Sequence, residues 1–183
     1  MGTKYRIVDG DNEYEVDYEE LKHLHSVRTG KDWEGMFYTN LLELREVGIE
    51  VYMGEMNLLE VIHECQKNIF LKYFGYYAQE DVFADMDYDF SFYKCEDFSD
   101  FIQQLRHGNW GLRVALIYKN LCFVNQCNGG DEWFVVKKFD DEYVGFESIS
   151  LEHILKEDGE KKIAEILDRL MKADKEKCLK CAW

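Results

Sequence analysis

Residues 114–149 read VALIYKNLCFVNQCNGGDEWFVVKKFDDEYVGFESI, and this stretch decides the fold. Val114-Ala115-Leu116-Ile117-Tyr118 is a continuous apolar run, the pattern of a central strand with both faces covered. Lys119-Asn120 can turn the chain into Leu121-Cys122-Phe123-Val124. Asn128-Gly129-Gly130-Asp131 is a strong turn signal, and Trp133-Phe134-Val135-Val136 follows it. Asp140-Asp141-Glu142 turns once more, into Tyr143–Ile149. The stretch therefore predicts an antiparallel meander. A closing helix is expected behind it, with Ile163, Ile166, Leu167, Leu170 and Met171 on one face.

Upstream the pattern alternates between short strands and helices. Tyr5–Val8 and Tyr14–Val16 flank Asp9-Gly10-Asp11-Asn12, a hairpin with a polar turn. Asp17 with Glu20 and Asn57 with Glu60 are capping pairs that open helices. The second of these helices carries Leu58, Ile62, Cys65, Ile69 and Tyr73 as its inner stripe. Between them Trp33, Met36, Phe37, Leu41 and Leu44 predict a helix that Gly48 ends, before a short strand at Ile49–Met53. Residues 81–93 alternate acidic with apolar or aromatic side chains, which predicts an exposed or edge strand. Phe98, Phe101, Ile102 and Leu105 return to helical spacing, and His107-Gly108-Asn109 ends that helix. The fold class is α+β, with a helix-rich part carrying short strands at 1–110 and the meander with its helix at 111–183. With no proline in the chain, no linker marks the boundary, and one continuous domain is equally compatible.

The formal charge is −15, from 37 acidic and 22 basic side chains. Residues 1–110 hold 23 acidic and 10 basic side chains, a net of −13, whereas residues 111–183 hold 14 and 12, a net of −2. Such a balance excludes direct binding of duplex DNA or RNA, which needs a basic patch against phosphate. It suits either simple solubility or engagement of a basic channel on another protein. The start of the chain, Met1–Arg6, has no apolar core of a secretory signal, and no apolar run reaches the roughly 18 residues of a membrane span. The expected location is the cytoplasm of a bacterial host cell, with the cysteines as free thiols.

The chemistry-bearing motifs are weak. Asp85, Asp87 and Asp89, with Glu96 eleven residues after the first, have the spacing of a calcium loop, but Phe90 stands where that loop needs glycine. Cys178 and Cys181 form a C-x-x-C pair, and Cys122 with Cys127 could add two thiolates for zinc. The same cysteines also continue the apolar stripe of the last helix. His23 and His25 point in different directions on a helix and make no ligand pair. No nucleophile motif or phosphate-cradling glycine loop occurs, so neither catalysis nor a cofactor is expected.

The stretch from Asn120 to Leu155 resembles a segment of small proteins carried by phages and mobile elements of Gram-positive bacteria. Some acidic proteins of that setting are anti-CRISPR proteins acting on the type II effector nuclease. The resemblance implies an antidefence inhibitor that competes with nucleic acid for a positively charged channel. Its expected contact residues are Glu80, Asp81, Asp85, Asp87, Asp89, Asp131, Glu132 and Trp133. The alternative is a non-catalytic accessory or immunity-type binding module, and the sequence leaves a homodimer open.

Overall fold

The computed structural model describes residues 3–75, 89–107, 113–125, 131–140 and 142–176, apart from the side chain of Tyr73 and a few others within them. The protein is α+β. Strands β1 (Tyr5–Asp9) and β2 (Asn12–Val16) form the expected hairpin and lead into α1 (Tyr18–Thr29). After α2 (Tyr38–Glu46) the chain returns as β3 (Ile49–Met53) and the two-residue β4 (Met56–Asn57). The four strands make one antiparallel sheet in the order β2-β1-β3-β4. Helix α3 (Leu58–Phe74) then crosses to a second sheet, built from β5 (Phe90–Lys94), β6 (Arg113–Tyr118), β7 (Leu121–Asn125), β8 (Trp133–Phe139) and β9 (Glu142–Ile149) in that order. Helix α4 (Phe98–His107) connects β5 to β6, and α5 (Leu151–Asp158) and α6 (Glu160–Lys172) close the chain.

The meander β6–β9 is antiparallel, as its turns predict. Beside it β5 pairs parallel with β6, because a strand–helix–strand connection through α4 returns the chain in the same direction. One pairing therefore joins residues on both sides of position 110. β5 takes the edge position expected of the 81–93 stretch, with Phe90 and Phe92 buried and Ser91 and Tyr93 exposed. Residues 81–88 lie outside the described residues.

Both faces of the second sheet are covered, which explains its unbroken apolar runs. Ala115, Ile117, Cys122, Val124, Phe134 and Val136 face α3 and share one core with Ile7, Val51, Leu21, Leu44 and Ile62 of the first unit. Leu116, Phe123, Trp133 and Val135 face the other way, onto Phe101 and Leu105 of α4 and Ile163, Ile166, Leu167 and Leu170 of α6. The layers run first sheet, α1–α3, second sheet, α4–α6. The first sheet buries only its inner face.

Local chemistry sets the element ends. Asp17 accepts from the Glu20 amide at 2.8 Å and Asn57 from the Glu60 amide at 3.2 Å, as the capping pairs predict. The predicted helix from Trp33 is shorter than its spacing implies and begins only at Tyr38. Gly35 has φ 122°, the Met36 amide donates to Asp89 at 2.8 Å, and the Asn40 amide side chain donates to the Gly35 carbonyl at 2.7 Å. Side chains satisfy this backbone in place of a helical turn. The expected closing helix forms as α6, with Ile163, Ile166, Leu167 and Leu170 buried, and Gly159 with φ 83° separates it from α5.

Two polar contacts tie elements together. Lys137 of β8 is buried and donates to the carbonyls of Leu170, Met171 and Ala173 at 2.8, 2.7 and 2.6 Å. All three stand at the C-terminal end of α6, where Leu170 also accepts from the Ala173 amide at 3.4 Å, and the ammonium complements the helix dipole. Glu43 of α2 lies 3.1 Å from the buried ring of His25 in α1 and 2.9 Å from Lys31. Burial pushes the Glu43 carboxyl up, but hydrogen bonds from Lys31 and His25 outweigh it and hold the group below its ordinary value.

Replacing Lys137 with Met removes three hydrogen bonds to the end of α6, so unfolding free energy should fall by about 2–4 kcal/mol. A urea titration reads this as a lower midpoint with an unchanged slope. Glu43 contributes stability that is complete above its ordinary pKa of 4.5 and is lost as the pH falls through the depressed folded value. Glu43→Gln should therefore be less stable than the parent at neutral pH, and the gap should narrow in acid denaturation curves below that point.

Candidate interaction face

Among the described residues no helix covers the outer face of the first sheet, and strand alternation decides what stands on it. Tyr5 and Ile7 point into the core, so Arg6 and Val8 point out. The register sets Glu13 of β2 and Glu50 of β3 on either side of Val8. The next row holds Glu15, Arg6 and Tyr52. Neighbouring strands lie about 5 Å apart, which puts the backbones of Glu13 and Glu50 about 10 Å from each other. Arg6 sits centrally: it pairs with Glu13 at 2.7 Å and lies over the Tyr52 ring at 4.2 Å, and the Tyr52 hydroxyl donates to Glu50 at 2.8 Å. These contacts fix a rigid lattice of two glutamates, one guanidinium and one ring, with Glu15 exposed beside it.

The segment that builds this sheet is strongly acidic, although among its acids the register places only Glu13, Glu15 and Glu50 on the open face itself. Residues 3–60 contain 14 carboxylates and 6 cations, a net of −8. Four of the cations are tied in the pairs Arg6–Glu13, Lys22–Glu19, Arg28–Asp9 and Lys31–Glu43. Asp11, Glu15, Glu20, Asp32, Glu34, Glu46, Glu50 and Glu55 are exposed and make no ion pair among the described residues.

At one end of the face a cleft of about 430 Å³ opens between the first sheet and β5. Its walls are Thr3, Lys4, Arg6 and Glu15, the Met53-Gly54 corner of the β3–β4 turn, and Tyr93, Lys94 and Glu96. That turn is held from the second sheet: Lys138 donates to the Glu55 carbonyl at 2.8 Å, and the Asn57 amide donates to the Tyr143 hydroxyl at 2.8 Å.

Of the residues expected to contact a partner, Glu80, Asp81, Asp85 and Asp87 lie outside the described residues, as do the turn at 128–130 and Cys127, Cys178 and Cys181. The other four have structural partners. Asp89 holds the Met36 amide and packs on Gly35. Asp131 accepts from the amides of Glu152, at 2.9 Å, and His153, which caps the start of α5 from a distant loop. Glu132 binds Lys72 and accepts from Ser148 at 2.6 Å. Trp133 is 0% exposed and belongs to the core against α6, so it offers no contact surface. Its place directly after a turn made it resemble an interface anchor, whereas the strand carries it inward.

The lattice of Glu13, Glu15, Glu50 and Arg6 was not singled out from the sequence. Its signal was present in the alternation of Asn12-Glu13-Tyr14-Glu15-Val16 and Ile49-Glu50-Val51-Tyr52, but only the pairing register shows that the acids share a face.

No grouping of His, Cys, Asp and Glu among the described residues could hold a metal ion. Burial pushes the thiols of Cys65 and Cys95 up to about 12 and that of Cys122 well above its ordinary value, so these three stay protonated and unreactive at neutral pH. Among the described residues no helix is long and apolar enough to cross a membrane. No family model, curated protein or solved structure matches the chain.

Because Asp131 caps α5 with both carboxylate oxygens, Asp131→Ala should cost about 1 kcal/mol of stability, and Asp131→Asn, which keeps one acceptor oxygen, should recover about half of it. Thermal melting of the two variants at one pH checks both numbers.

Proposed function

We propose that the protein is a non-catalytic binding module that presents the open carboxylate face of its first sheet to a basic, nucleic-acid-handling protein. The observation that carries this reading is the set of exposed carboxylates without ion pairs in residues 3–60, together with the lattice of Glu13, Arg6, Tyr52 and Glu50. Carboxylates fixed on a sheet are ordered before binding, so docking costs little conformational entropy. A cationic channel that normally takes nucleic acid supplies the complementary field and raises the rate of encounter. The specific form of the proposal is an antidefence inhibitor of a type II CRISPR effector nuclease, whose guide and target lie in such a channel. The resemblance of residues 120–155 supports that choice of partner.

The test is a titration of the whole protein against the guide-loaded nuclease at low and high salt, with cleavage of target DNA measured in parallel. Binding should weaken steeply as salt rises, and cleavage should fall in proportion to the protein added. Three exposed charges at about 0.5 kcal/mol each come to roughly tenfold in affinity, the loss expected for the triple variant Glu13→Gln, Glu15→Gln, Glu50→Gln. A complex that is indifferent both to salt and to the triple variant would instead favour an accessory or immunity-type module with an apolar interface. Absence of any complex with the nuclease would end the specific form.

A further inference from the structure

We propose that the end of α6 is a binding site for a primary alkylammonium group, which Lys137 fills from within the chain. Its ammonium donates to the carbonyls of Leu170, Met171 and Ala173 at 2.8, 2.7 and 2.6 Å, so each of its N–H donors has an acceptor. The Phe139 ring stands beside it, with its centre 4.8 Å from the Lys137 Nζ, and adds the attraction of a cation for an aromatic face. The carbonyls also carry the negative end of the helix dipole. Lys137 is 3% exposed, so little water competes for these bonds.

The stem of Lys137 reaches this cage along an apolar path. The register sets Leu121 of β7 and Val144 of β9 on either side of it, and both belong to the core against α4–α6. Lys137→Ala removes the carbons beyond Cβ together with the ammonium, which are the heavy atoms of n-propylammonium, and keeps the carbonyls and the ring. What remains is an apolar channel ended by three acceptors and an aromatic face, the complement of a small charged primary amine. Sodium needs further oxygen ligands that such a channel does not supply, and tetramethylammonium has no N–H to donate. If the stem acted only by filling space, methionine would replace lysine and no amine would be selected. The cage lies on the side of the second sheet that faces α6, away from the core shared with the first sheet, so the acidic face plays no part in it.

Thermal melting of the full chain in the chloride salts of n-propylammonium, tetramethylammonium and sodium, at one pH and one ionic strength, tests the assignment. Lys137→Ala should melt below the parent in sodium. n-Propylammonium at tenfold its dissociation constant should then raise the melting temperature of that variant by roughly 3–6 °C over sodium, while tetramethylammonium should not. The parent, whose cage is filled, and Lys137→Met, whose side chain occupies the channel, should melt alike in all three salts. Should Lys137→Ala fail to fold in sodium, its far-ultraviolet circular dichroism should recover in n-propylammonium alone. Any of three results overturns the proposal: no recovery of Lys137→Ala by n-propylammonium, equal recovery by sodium or tetramethylammonium, or the same rise in the parent or in Lys137→Met.

Discussion

The second sheet is apolar on both faces, and that constraint organises the molecule. A sheet of this kind must be covered twice. The chain supplies one cover with α4–α6 and the other with α3 and the inner face of the first sheet. The buried ammonium of Lys137 secures the outer cover by meeting the last carbonyls of α6, so the helix that hides Trp133 and Val135 is held by polar bonds as well as packing. A lysine at that register would be costly without those acceptors. The pairing of a charged residue on an apolar strand with a helix end is one device, divided between two distant segments.

The same constraint decides where charge can stand. With its inner face built into the shared core, the first sheet has one buried face and one wet face. The wet face accepts glutamates at little cost in desolvation, and Arg6 between them relieves part of their mutual repulsion. Crowded exposed acids therefore belong to the four-stranded sheet as naturally as continuous apolar runs belong to the five-stranded one. The proposed function follows this division, since it uses the open face.

Much of the fold was legible in the sequence because it is written in local signals. The capping pairs Asp17/Glu20 and Asn57/Glu60, the hairpin at Asp9–Asn12 and the apolar run at Val114–Tyr118 each require only neighbouring residues. What escaped depends on distant partners. The start of α2 moved because Asp89 binds the Met36 amide across 53 positions. The parallel pairing of β5 with β6 leaves no mark in either strand alone. For the candidate site the balance is poorer. Composition located the excess acid in the first part of the chain, yet spacing could not separate free carboxylates from those used as caps and ties, such as Asp131 and Glu132. A carboxylate looks the same in sequence whether it holds an amide or faces water.

Among the described residues strand β2 is the outermost of its sheet, and no described strand pairs with its outer side. Glu13 and Glu15 ride on that strand. If two copies met edge to edge, acids would oppose acids at close range, and the growing ribbon would accumulate negative charge with each addition. The arrangement acts as a brake on runaway polymerisation.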